Sequence, residues 1–362
     1  MHEAEDHRTP AGRYTLTETE HGRPWGVCAE VEGLFGEPQH GIYELFGWAQ
    51  QAEVHGWTGD RVWLVPDDRA LGPWLLADAR CPGHHPGTDS LVLTGLDDHE
   101  GPPEGHRGRV RVHDEHRWLG SCQEFTRILA PERPAPPLVL RGLAPGARLR
   151  AALLKATQRA LDLGQVSLET RNDRGETLAE HAFQAARVSA WHSSPHGPDL
   201  IDLELEGNSF PLLPEHARPL WESWLAAPPD TLNTRAALDT RHRAAWLDLV
   251  RTRGCLRTHN NRPAGHAYEL DGRHITDEPG LHLALGEAVN GPGGYFGGCV
   301  SALDDCLRGT FGYTAPAVLL WRNAATARKH LSQALTPEGH RYDLFAAVLD
   351  ALSEGGMHVT LT

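Results

Sequence analysis

No apolar run of about 18 residues interrupts this 362-residue sequence, so nothing in it reads as a membrane-spanning helix. Its first residues, MHEAEDHRTPAGRY, lack the basic-then-apolar order of a signal peptide. The expectation is a cytoplasmic protein with no membrane partner. Lysine is nearly missing; Lys155 and Lys329 are the two present. Lys and Arg together number 34 against 48 Asp and Glu, a formal charge of −14. A nucleic-acid binder ordinarily carries a basic stripe, so this balance argues against nucleic acid and suits a basic protein partner. The six cysteines form no CxxC pair and are expected as buried thiols. Cys81, His84 and His85 in CPGHHPG are ligand types. A structural zinc site needs four converging ligands, however, and no second cluster is visible, so no metal is expected. Neither a P-loop, a dinucleotide fingerprint, HExxH nor a nucleophile elbow occurs, so no catalytic residue and no cofactor is expected.

What is present first is a repeat. Arg13–Ala49, Arg61–Asp97 and Arg109–Pro145 align, their starts 48 residues apart, and residues 165–208 form a looser fourth copy. Each unit reads strand, polar turn, strand, irregular loop, strand. Each of the first three closes on a short apolar strand ending in glycine: Gly47, Gly95 and Gly142. Such glycines mark a positive φ or a close approach of another strand. One unit cannot bury both faces alone, so the copies are expected to pack into a barrel-like or pseudo-symmetric assembly. Cys28 and Cys122 occupy matching places and suit small core residues. His113, Asp114, Glu115 and His116 fall in a hairpin turn and are expected to face water. A helix over residues 148–161 separates the third and fourth copies.

Beyond residue 208 the period changes to helical. Leu213, Ala217, Leu220, Trp221, Trp224 and Leu225 share one face, as do Ala237, Leu238, Ala245, Trp246, Leu249 and Val250. Residues 259–265 read as a linker. From His266 onward strand and helix signals alternate, which implies a small parallel sheet with helices packed on it. Thr276 is expected to cap a helix running to Val289, Asn290–Gly298 is a glycine-rich loop, and helices are expected over 299–307, 324–334 and 338–353. Ala317–Trp321 and Met357–Leu361 read as strands. The fold class is therefore multidomain α+β: a tail (1–12), an all-β repeat region (13–208), a helical spacer and linker (209–265), and an α/β domain with a three-stranded parallel sheet (266–362).

The segments GGYFGGCVSALDDCL, AVLLWRN and SEGGMHVTLT, in this order, resemble the barstar family of intracellular ribonuclease inhibitors. The likeness covers the last quarter of the chain. It implies that an acidic helix and an aromatic loop enter the cationic active site of a ribonuclease or related basic toxin. Carried over by motif, the partner-binding residues would be Tyr295, Phe296 and Gly297 in the loop, Ser301, Asp304 and Asp305 on the helix, and Asp350 on the last helix. Of the two aromatics, Tyr295 is expected exposed and Phe296 buried; Cys306 is expected in the core. Ser301 stands where the family has an acid, and Asp304 where it has tryptophan. The resemblance thus implies an inhibitor or immunity protein. Two other readings stand beside it: an adaptor that retains the fold for some other partner, and an enzyme seated in the β repeats, which would need a deep pocket with converging ionisable groups.

Overall fold

The computed structural model describes residues 12–37, 39–54, 56, 58–68, 70–88, 90–97, 106–128, 137–156, 161–208 and 212–362. Strands dominate the first part, because apolar residues alternate there with polar ones and glycines and short polar turns punctuate the run. In chain order they are β1 (Tyr14–Glu18), β2 (Pro24–Cys28), β3 (Glu30–Glu32), β4 (Phe35–Gly36), β5 (Gly41–Phe46), β6 (Ala49–Gln50), β7 (Thr58–Pro66), β8 (Trp74–His84), β9 (Leu91–Asp97), β10 (Val110–His113), β11 (Trp118–Cys122), β12 (Glu124–Ile128) and β13 (Leu138–Pro145). Helix α1 (Ala147–Lys155) follows, then β14 (Leu161–Arg171), β15 (Thr177–Ser193), β16 (Ile201–Asn208) and β17 (Leu213–Pro214). The helix is shorter than its sequence pattern suggests, since β14 begins at Leu161.

These strands close two barrels. In the first, β1 pairs with β2 and β14, β14 with β15, β15 with β16, β16 with β13, and β13 with β2, all antiparallel. In the second, β5 pairs with β9, β9 with β8, β8 with β7, β7 with β10, and β10 with β11. Its last seam is one continuous register: Gly120↔Gln50 and Ser121↔Ala49 lead without slippage into Glu124↔Phe46 through Ile128↔Ile42. Residues 41–50 and 118–128 therefore act as two long bent strands, and the second barrel also has six. Closure leaves no free sheet edge along those seams. Each barrel is filled by its inward alternate residues: Leu16, Leu140, Leu168 and Leu203 in the first, Tyr43, Val62, Leu64 and Leu76 in the second, all essentially inaccessible.

The two barrels are the same object built from exchanged parts. Hairpin β1–β2 pairs Tyr14↔Cys28 and Leu16↔Gly26, with a bulge before Thr17↔Pro24. Hairpin β10–β11 pairs Val110↔Cys122 and Val112↔Gly120, with a bulge before His113↔Trp118. Partner for partner, Leu16↔Leu168 matches Val112↔Leu64, and Leu140↔Leu203 matches Leu45↔Leu91. Yet the first barrel takes its hairpin from the start of the chain and its other four strands from β13–β16. The second takes its hairpin from β10–β11 and its other strands from β5–β9. The repeat is thus a duplication of about 96 residues whose two copies have traded hairpins, the 48-residue spacing being half of it. Gly47 and Gly142 occupy matching bends and both have φ +61°. At Gly95 a Cβ would come within 2.9 Å of Leu76 Cβ, a close approach of strands. Cys28 and Cys122 are buried at matching positions, and desolvation pushes both thiols up to about 12.

By contacts the chain forms two compact units. One holds the first barrel with α1, β17, helix α2 (Arg218–Ala226) and the end of α3 (Thr240–Leu256); the other holds the second barrel, residues 231–247 and residues 258–362. The C-terminal part is mixed. It runs β18 (Ala267–Asp271), α4 (Glu278–Asn290), α5 (Val300–Arg308), β19 (Ala317–Arg322), α6 (Ala324–Leu331), the short pair β20 (Ala334–Leu335) and β21 (Arg341–Tyr342), α7 (Leu344–Glu354) and β22 (Met357–Leu361). β19 lies between β18 and β22, parallel to both, as the alternation of signals implied.

Two helix boundaries differ from the sequence reading. Asp277, not Thr276, caps α4: its Oδ1 accepts from the Gly280 amide at 2.8 Å, while Thr276 Oγ1 and Asp277 Oδ2 meet the buried Arg243. The expected helix over 338–353 starts only at Leu344. Gly339 has φ +78° and closes the β20–β21 turn, and Asp343 Oδ1 accepts from the Ala346 amide to begin α7.

Candidate functional site

Helix α5 is the most amphipathic part of the C-terminal domain. Leu303, Cys306 and Leu307 point into the core, and Cys306 is buried as expected. Ser301, Asp305 and Arg308 lie on the exposed face, one helical turn apart in succession. The helix starts at Cys299, whose sulfur accepts from the Ala302 amide at 3.5 Å. Asp305 is exposed and has no side-chain partner among the described residues. Asp304 is only partly exposed and pairs with Arg308 at 2.6 Å, one turn along. That pairing was missed at the sequence level, although acid and base four residues apart on a helix are its ordinary signal. Asp350 is exposed on α7, which packs beside α5.

The aromatic loop behaves differently from its expectation. Phe296 is fully buried, as anticipated, with its ring edge-on to Tyr313 at 5.9 Å. Tyr295 is also buried, at 5 % exposure, which corrects the prediction that it faces solvent. Its ring sits edge-on against Phe311, 6.1 Å between centroids, and its carbonyl accepts from Asn290 Nδ2 at 2.8 Å. Gly297, at φ +84°, passes so close to Leu303 that a Cβ would lie 2.6 Å from that residue's Cα. The loop is therefore drawn inward against α4 and α5, and both rings go with it. Of the seven residues singled out, the structure brings Ser301 and Asp305 onto one exposed face, leaves Asp350 exposed on the neighbouring helix, half-covers Asp304, and buries Tyr295, Phe296 and Gly297.

Two further features surround this domain. Helix α4 is held by buried charge: Arg235 pairs with Glu287, and Arg243 Nη1 donates to Asp277 Oδ2 at 2.7 Å. His113 contradicts its expected exposure, being fully buried at the tip of the β10–β11 hairpin. Its Nδ1 accepts from the Glu115 amide at 3.2 Å, its Nε2 meets the Pro337 carbonyl at 3.1 Å, and its ring stands edge-on to Trp118. The Leu335 amide donates to the Glu115 carbonyl at 2.6 Å, so this tip of the second barrel docks on the β20–β21 segment.

A cleft of about 500 Å³ at the carboxyl ends of β18 and β19 is lined by Arg235, Arg273 and Arg322, but each is paired with a carboxylate: Glu287, Asp271 and Glu269. Cys81 faces the core of the second barrel, whereas His84 and His85 are exposed. No described helix is long and apolar enough to cross a membrane.

The domain so defined, a three-stranded parallel sheet carrying an exposed acidic helix, matches a known family model. Residues 265–355 match the family model Barstar (barnase inhibitor), and the rest of the chain has no family match. No curated protein and no solved structure matches the chain.

Proposed function

We propose that the chain binds a cationic ribonuclease through the α5 face and blocks its active site. The observation that carries this reading is Asp305: an exposed carboxylate without a side-chain partner among the described residues, on a helix inside the segment that matches the barnase-inhibitor family. A ribonuclease active site is positive because it must hold phosphate. A fixed carboxylate offered to it takes the place of an RNA phosphate oxygen. Opposite potentials speed the encounter, and desolvated pairs set the lifetime. Asp350 adds a second negative group from α7. Asp304 contributes less, because Arg308 already neutralises it. The overall charge of −14 acts in the same direction at longer range.

Titrating RNA cleavage by purified barnase tests this. The native chain should suppress cleavage at close to one equivalent. Asp305→Ala should need at least about tenfold more protein for the same effect, the loss expected for a central interface charge. Identical residual cleavage with both proteins would sink the proposal; binding without suppression would point instead to the adaptor reading.

A further inference from the structure

The aromatic contact that the family resemblance assigned to Tyr295 is vacant, because that ring is buried. Its cover is a partly exposed ring, Phe311, at the end of the helix that bears Asp305. Phe311 lies three residues past the last residue of that helix, Arg308, and its ring borders the helix's last turn: a Cβ at Gly309 would lie 3.1 Å from the Asp305 backbone carbonyl oxygen and 3.5 Å from Phe311 Cδ2. Against Phe311 lies a second ring, His259, with centroids 5.3 Å apart and planes 36° from parallel. Both rings are partly exposed. His259 precedes the family-matched segment, which starts at residue 265.

We infer that Phe311 and His259 form a pre-organised aromatic anchor for the partner, replacing Tyr295 beside Asp305. The inference rests on the reading of the α5 face as a ribonuclease-binding surface. The loop that carries Phe311 is pinned on several sides. Asn290 Nδ2 donates to the Phe311 carbonyl at 3.0 Å, and the Gly312 amide donates to Asn261 Oδ1 at 3.0 Å. The Arg262 amide donates to the Gly312 carbonyl at 3.1 Å, and the Gly265 amide to the Pro316 carbonyl. Gly312 has φ +88°, and a Cβ there would collide with the Asn290 side chain, so the loop tolerates no other residue easily. Two rings already held together lose little freedom when a partner covers them, and rigid aromatic groups next to a desolvated charge are the usual energetic centre of an interface. A cationic active site suits such a pair. Its arginine or lysine groups can meet Asp305 while the face of Phe311 accepts the adjoining cationic or apolar stem.

Binding of the full chain to purified, catalytically inactivated barnase by calorimetry tests the inference. Phe311→Ala should weaken binding by roughly 10- to 100-fold and His259→Ala by roughly 3- to 10-fold, the range for interface aromatics. The double variant should lose less than the product of the two, because the rings act as one unit. Phe311→Leu keeps the apolar volume and guards against a folding defect; it should retain native melting and still bind less tightly than the native chain. Glu269→Gln, on the sheet, should bind as the native chain does. Loss of binding in Asp305→Ala with unaltered binding in Phe311→Leu, Phe311→Ala and His259→Ala would overturn the aromatic anchor and leave the charged face standing. No binding by the native chain would overturn both.

Discussion

The first barrel and the second share strand order, register, bulge position and even the φ of their bend glycines, yet they differ at one hairpin tip. In the first, residues 19–24 of the β1–β2 turn are exposed. In the second, the equivalent turn buries His113 and hydrogen-bonds residues 335–337. A hairpin of fixed register is thus a reusable frame: strand pairing is set by alternation and the bulge, and the turn is free to diverge. The side chain next to the bulge is Thr17 in one copy and His113 in the other. That position, together with the Glu115 carbonyl that accepts from the Leu335 amide, separates a solvated turn from one that meets another segment.

If the barrels are equivalent, matching core residues should cost the same to truncate. Leu168→Ala in the first and Leu64→Ala in the second should each destabilise their unit by about 2–5 kcal/mol, the range for fully buried leucine. Urea unfolding followed unit by unit would read this, and a difference beyond about 2 kcal/mol would break the equivalence.

The hairpin tips should behave oppositely. His113→Ala leaves the Glu115 amide and the Pro337 carbonyl without their partner and should cost about 2 kcal/mol. Thr17→Ala should stay within about 0.5 kcal/mol, as for an ordinary surface change. Acid sharpens the contrast. Burial holds His113 below the usual histidine range, so the unfolded chain takes up this proton first. Its contribution is therefore complete above about pH 6.5 and falls as the pH is lowered below that value. His282, buried in α4 and lowered to about 4, adds a loss of the same sign. Melting temperatures between pH 7 and 4.5 should fall less steeply for His113→Ala than for the native chain, and parallel slopes would show that the docked tip does not titrate.

The last contrast concerns the bends. Gly47→Ala and Gly142→Ala each place a Cβ at φ +61°, which should cost about 1–2 kcal/mol in either barrel. A thermal shift confined to one of the two variants would mean that the bends are not interchangeable.

Residues read in isolation determined a good deal here. The order of strands and helices after residue 266, the parallel sheet, the buried Cys306, the paired places of Cys28 and Cys122, and the special roles of Gly47, Gly95 and Gly142 all follow from period, turn chemistry and local motif, which act over a few residues. The 48-residue spacing was legible for the same reason. Tertiary structure alone decided which hairpin completes which barrel, because β1–β2 can satisfy its edges with any sheet of matching register and the choice is made by strands more than 100 residues away. It also decided exposure. Tyr295 is buried because Phe311 packs against its ring and Asn290 ties down its carbonyl, and His113 because Pro337, 224 positions along the chain, supplies the acceptor for its ring.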